Sequence, residues 1–180
     1  TSNIAAVRKA MDDCDHPALL MVDTISSLAS IDYRHDEWGV DVTIGGSQKG
    51  LMLPPGLSFN AVGTKALAAA ENATMIRSYW DWGPMIAANK GGAFPYTPAT
   101  NLLYGLDEAV AMLQEEGLQN VFTRHARLAE ATRRAVAAWG LETVARDDGE
   151  KSNSLTAVML PDGHDADAFR ATVLNRYNMS

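Results

Sequence analysis

One cysteine, Cys14, stands in a chain of 180 residues. A disulfide framework and a zinc site built from cysteines alone are thereby excluded, and a reducing compartment suits the composition. Long apolar runs are lacking as well: none approaches the roughly 18–20 residues that a membrane helix needs. Positive charge is in deficit. Lysine and arginine number 15 against 22 acidic residues, a formal net charge of −7. The imbalance is even along the chain, with 7 basic against 10 acidic residues in 1–90 and 8 against 12 in 91–180. Neither half carries the basic surplus on which phosphate-backbone binding depends, and neither end is a charged tail. The opening Thr1-Ser2-Asn3 lacks the charged and then apolar pattern of a secretory signal. Internal repeats and low-complexity segments are absent too. The expectation is a cytoplasmic globular protein without nucleic-acid or membrane partners.

What is present is enough apolar material for a core, 47% of residues, in an α/β order. Ser2 or Asn3 can cap a helix over 4–13, where Ile4, Val7 and Met11 share a face. The run Ala18-Leu19-Leu20-Met21-Val22 stops at Asp23 and reads as a strand buried on both faces of a parallel sheet. Two further strands are predicted at 40–44, ending in Gly45-Gly46, and at 57–62, leading to a helix near Thr64. Residues 72–99 are rich in aromatics, Gly and Pro without periodicity, which predicts a long ordered loop with about one turn of helix. A helix to Glu116, closed by Gly117, and a second over 118–139 follow. In the latter, Val121, Phe122, Leu128, Ala131, Ala135 and Trp139 are predicted to form the inner face. Strands at 141–146 and 154–160 and a helix over 164–177 complete the chain. This division predicts the second half of one α/β domain over 1–117, with a mostly parallel sheet, and the beginning of a small α+β domain over 118–180.

Ligands of such sheets gather beyond the carboxyl ends of the strands, where Asp23 and Ser47-Gln48-Lys49 fall. Lys49 lies in an uncharged stretch that continues through Gly50-Leu51-Met52-Leu53-Pro54-Pro55-Gly56. Apolar surroundings disfavour an ammonium and favour the neutral nucleophile that Schiff-base chemistry requires. Asp23, at the end of an apolar strand, needs a cationic or donor partner. That partner is a helix N-terminus, an arginine, or the protonated ring nitrogen of pyridoxal phosphate (PLP), which acidic residues hold.

Together, Val22-Asp23-Thr24-Ile25-Ser26-Ser27-Leu28 and Gly46-Ser47-Gln48-Lys49-Gly50-Leu51-Met52-Leu53-Pro54-Pro55-Gly56 resemble the class V aminotransferases among fold-type I PLP enzymes. The separation of 26 between Asp23 and Lys49 matches that family. Phe94-Pro95-Tyr96-Thr97-Pro98-Ala99-Thr100-Asn101-Leu102-Leu103-Tyr104-Gly105-Leu106 and the tail from Gly163 to Ser180 are similar to its serine–glyoxylate branch. The resemblance implies transamination from L-serine, or L-alanine, to glyoxylate. It implies that Lys49 forms the Schiff base and moves the proton, that Asp23 pairs with the ring nitrogen, and that Ile25 packs under the ring. Gln48 would hydrogen-bond the cofactor phosphate, and Thr97 would reach the phosphate of a neighbouring subunit in a homodimer. Where alanine–glyoxylate members often carry a tyrosine this chain has Phe94, which cannot donate to a phosphate. The resemblance also places a phosphate-cradling turn, a ring-stacking aromatic and a carboxylate-binding arginine outside these 180 residues. This stretch alone is therefore expected to bind PLP poorly and to be inactive.

Other signals carry less. Asp13-Cys14-Asp15-His16 are consecutive, so their side chains diverge, and they read as a solvated turn; no metal site is expected. His35 and His125 are isolated, and Arg124, Arg127, Arg133 and Arg134 around Glu130 read as a solvated helix face. Tyr79-Trp80-Asp81-Trp82 with Met85 reads as core or subunit interface. Two alternatives stay open: a class V lyase of cysteine-desulfurase type, which Cys14 is badly placed to serve, and a fragment acting only in dimerisation.

Overall fold

The computed structural model describes residues 1–179; Ser180, the end of the tail segment compared above, lies outside them. Helix α1 (Ile4–Asp13) starts where Asn3 Oδ1 accepts the Ala6 N–H at 3.0 Å. Its Ile4 and Met11 pack with Tyr33 and Trp38 on a core of Leu20, Val22 and Val40. The Tyr33 and Trp38 rings meet edge to face at 5.5 Å, the geometry their quadrupoles favour. Arg8 joins this helix to the sheet. It pairs with Asp12 at 2.6 Å and with Asp41 at 3.6 Å, while Asp41 Oδ2 accepts the Leu20 N–H at 2.7 Å. The half-buried guanidinium thus compensates a buried carboxylate at the mouth of the first strand.

Three strands follow in the order β1 (Met21–Asp23), β2 (Val42–Gly46) and β3 (Ser58–Val62). β1 runs parallel to β2 with Asp23 opposite Ile44, and β3 runs antiparallel to β2. All three predicted strands exist, but only one of the two ladders is parallel. The physical reason is connection length: the 24–41 segment is long enough to cross over, whereas the loop 47–57 folds straight back. Burial in β1 also differs from expectation. Val22 is buried, while Met21 is 56% exposed and Asp23 is exposed, so the strand is covered on one face only.

Helix α2 (Thr64–Glu71) follows β3 directly. The predicted loop 72–99 contains α3 (Trp82–Lys90), more than the single turn expected, started by Asp81 Oδ1 accepting the Gly83 N–H at 3.1 Å. No residue of α3 is buried, which is why no periodicity announces it. α4 (Thr100–Glu116) ends at Gly117 with φ +81°, and α5 (Leu118–Ala138) begins at once. The buried stripe of α5 is Val121, Ala129 and Val136, with His125 half-buried, whereas Leu128 is 59% and Trp139 71% exposed. The predicted inner face is therefore rotated, because α4 and the tail approach the side that carries small residues.

The tail strands shrink to β4 (Glu142–Thr143) and β5 (Val158–Met159), antiparallel to each other. The segment between them is occupied by a single 3-10 turn at Asp148–Glu150 and by irregular chain. α6 (Ala166–Tyr177) is capped by Asp165, whose Oδ1 accepts the Asp167 and Ala168 N–H groups at 2.8 and 3.3 Å. None of the described helices is long and apolar enough to cross a membrane.

Candidate active site

Parallel pairing brings the carboxyl ends of β1 and β2 to one edge of the sheet. Thr24, 1% exposed, fastens that edge: its N–H and Oγ1 both donate to the Ile44 carbonyl, at 2.8 and 2.9 Å. The chain then turns, with Ser27 and Leu28 N–H groups returning to the Thr24 carbonyl. Asp23 is not buried as its apolar strand suggested. Its Oδ1 accepts the Ile25 N–H at 2.8 Å, so a backbone donor is the partner within this chain. No described residue bonds its Oδ2.

Lys49 stands on the loop that leaves β2. Its Nζ donates to Ser26 Oγ at 3.3 Å, which joins the two motifs across a sequence gap of 23. The side chain is exposed, so the expected apolar enclosure of the amine is not built by this chain. Gly50 explains how close the loop comes to the turn. A Cβ there would lie 2.1 Å from the Leu28 carbonyl oxygen and 2.8 Å from Ser30 Oγ, a gap only glycine leaves open. Four residues earlier, at Gly46, an added Cβ would meet Gln48 Oε1 at 3.0 Å and Ile25 Cγ2 at 3.5 Å. Gln48 and Ile25 therefore flank the bare backbone of Gly46, and Asp23, Ile25, Gln48 and Lys49 gather at one sheet edge. Thr97 does not join them within this chain. It is exposed on the segment before α4, beside Tyr96, whose ring lies 4.9 Å from that of Tyr79.

A cavity of about 330 Å³ opens at Lys49 and is lined by Ser26, Ser30, Arg124, His125 and Asn153. Ser30, Arg124, His125 and Asn153 are not among the residues the sequence points to. Asn153 carries no motif, and the two on α5 looked like solvated surface. The signal was available for His125, four residues after the buried Val121 and hence on the same helical face. Arg124 holds Glu116 through two bonds, Nε and Nη2 at 2.7 and 2.8 Å. This bidentate pair keeps the Glu116 carboxyl below the usual carboxylate range. Burial, and then the neighbouring Arg124 charge, push the His125 imidazole down, so it is neutral at neutral pH. Cys14, exposed at the end of α1, bonds the Ala10 carbonyl and takes no part in this cavity.

Residues 2–180 match the family described as Aminotransferase class-V. The chain belongs to that family. It is 53% identical over 185 residues to a serine–glyoxylate aminotransferase of Methylorubrum extorquens, covering 100% of this chain and 46% of the relative. It is 45% identical over 179 residues to an L-aspartate–glyoxylate aminotransferase of Paracoccus denitrificans, covering 99% and 45%. Among solved structures, pyridoxamine–pyruvate aminotransferase from Mesorhizobium loti superposes with a TM-score of 0.84 at 33% identity, over 97% of this chain and 45% of that one. The fold is thus the fold-type I PLP-transferase fold, and the chain spans about half the length of the relatives it matches.

Class-V aminotransferases imply PLP, and the residues present fit it. An exposed primary amine, a carboxylate with an oxygen to spare, an aliphatic side chain and a primary amide stand on the turn after β1 and the loop after β2, the last two beside the bare backbone of Gly46. These are the donor types that an aldehyde, a pyridine nitrogen, a ring face and a phosphate respectively take.

Proposed function

We propose that the full-length protein is a PLP-dependent serine–glyoxylate aminotransferase, converting L-serine and glyoxylate into hydroxypyruvate and glycine. The observation that carries this reading is the Lys49 amine at 3.3 Å from Ser26, on the turn that begins at Asp23, in a chain 53% identical to an enzyme of that name. In this reading Lys49 carries the cofactor, Asp23 holds the ring nitrogen, Ile25 lies against the ring and Gln48 binds the phosphate. When bound, PLP supplies an electrophilic carbonyl and a cationic ring that withdraws electrons from the amino-acid Cα.

The chain's own part is to hold and move protons. Lys49 Nζ would take up and hold the proton released at the substrate Cα. The Asp23 carboxylate would hold the cationic ring nitrogen and so stabilise the charge that develops in the transition state. Thr24, locked to Ile44, fixes the turn that carries Ser26, so the amine approaches from a defined side. The small cavity between Ser26 and Asn153, with its neutral imidazole, suits a short polar donor such as serine.

Residues 1–117 form the second half of the large domain in this reading, and 118–180 the beginning of the small one. The enzyme is a cytoplasmic homodimer in which Thr97 reaches the partner's cofactor phosphate. The exposed Ile76, Trp80 and Tyr104, at 99%, 84% and 75%, support a partner on that side.

Borohydride reduction of the full-length protein followed by peptide mass mapping is the test. A pyridoxyl adduct on Lys49 is expected; an adduct on another lysine overturns the assignment. Parallel initial-rate lines with serine and glyoxylate are expected for a shuttle of this kind. A higher kcat/KM for alanine or aspartate than for serine would reassign the donor.

A further inference from the structure

We infer that Ser47 is the positioning residue for Lys49: it clips the loop 47–57 shut and thereby sets where the amine stands. The inference rests on the reading of Lys49 as the cofactor-carrying lysine. Ser47 is wholly buried, at 0% exposure. Every polar group it has is engaged across the loop. Its N–H donates to the Leu57 carbonyl at 3.2 Å, and its carbonyl accepts the Leu53 N–H at 3.1 Å. Its Oγ donates to the Pro54 carbonyl at 2.8 Å and accepts the Leu57 N–H at 3.2 Å.

Lys49 lies two residues beyond this knot, and its carbonyl accepts the Met52 N–H at 2.9 Å. Met52 has φ +61°, a left-handed conformation that a side chain tolerates only when its surroundings impose it. The far end of the loop rests on α4. A Cβ at Gly105 would lie 2.8 Å from Leu53 Cδ2, and one at Gly56 would lie 2.6 Å from Leu102 Cδ1. The hydroxyl therefore joins both ends of a loop that is strained in its middle and seated on a helix. Without it, the Pro54 carbonyl and Leu57 N–H lose their shared partner, and the loop that presents Lys49 can spread.

The full-length protein with Ser47→Ala, compared with wild type and with Val121→Ala as a stability control on α5, tests this. In the cofactor-free protein, amide exchange in the peptide containing Leu53 and Leu57 should quicken at least about tenfold in Ser47→Ala and stay unchanged in Val121→Ala. In the loaded protein, kcat should fall roughly 10–100-fold with KM near wild type. The pH midpoint of the bound-cofactor absorbance should move as well, because the amine is displaced. Ser47→Cys, similar in volume but a weaker donor, should give the same changes at smaller size and covers the case in which the alanine variant folds poorly. If Ser47→Ala loses only melting temperature, in step with Val121→Ala, with exchange, kcat and the pH midpoint unmoved, the inference is overturned. A wild type with no cofactor absorbance would instead overturn the proposed function.

Discussion

Residues 40–47 and 71–80 are opposite kinds of surface on one chain. From Val40 to Ser47 every residue but Ile44 is buried, and polar groups are answered internally, as Thr43 Oγ1 is by Tyr33 at 2.5 Å and His35 at 2.7 Å. From Glu71 to Trp80 every residue is exposed, Ile76 at 99% and Trp80 at 84%. The first region ends at the loop of a proposed catalytic lysine and has to be rigid, because a shift of about 1 Å in a reacting group can lower a rate 10²-fold. The second holds large apolar side chains that this chain leaves exposed, the surface proposed above to meet a partner. In the proposed reading the buried region serves precision and the exposed one association.

That contrast can be pushed to breaking. Asp23→Asn keeps the shape at the rigid edge and removes the charge, so kcat should fall about 10²–10³-fold with little change in melting temperature; comparable loss of both would make Asp23 a folding residue. Gly50→Ala comes next. A Cβ 2.1 Å from the Leu28 oxygen forces backbone apart, and chemical denaturation should show a loss of roughly 1–3 kcal/mol together with weaker cofactor retention.

Two matched truncations then compare the regions directly. Val42→Ala, at 1% exposure, should lower stability by about 1–2 kcal/mol through lost burial and a cavity. Ile76→Ser should leave the subunit within about 0.5 kcal/mol of wild type while shifting sedimentation toward monomer. An unchanged sedimentation profile would sever the exposed segment from the dimer. The smallest effect belongs to His125→Gln. Burial lowers the folded-state pKa of this imidazole, so below its unfolded value near 6.5 the unfolded chain binds the proton first and stability declines as pH falls. The variant should flatten that decline between neutral pH and pH 5 in melting curves.

Much of this was legible in the residue order. The helix over 4–13, the ends of α4 at Glu116 and Gly117, and three strands followed from capping residues and apolar runs, which are local. Lys49 and Asp23 stood out because a charge at the end of an apolar run is conspicuous. Local signals failed where partners decide. The exposed face of β1, the rotated inner face of α5 and the shortened β4 and β5 all depend on what packs against them. α3 was expected as about one turn only, because a helix with no buried residue has no periodic pattern to show.

Sequence alone therefore determined the family, the fold class and the two residues proposed for the chemistry, since these reside in short contiguous motifs whose spacing can be read directly. Only the tertiary structure decided that Ser26 meets Lys49, that Ser47 knots the loop, and that His125 and Asn153 share the cavity. Those contacts join positions 6 to more than 100 residues apart, and hydrogen bonds and burial of this kind exist only once the chain has folded.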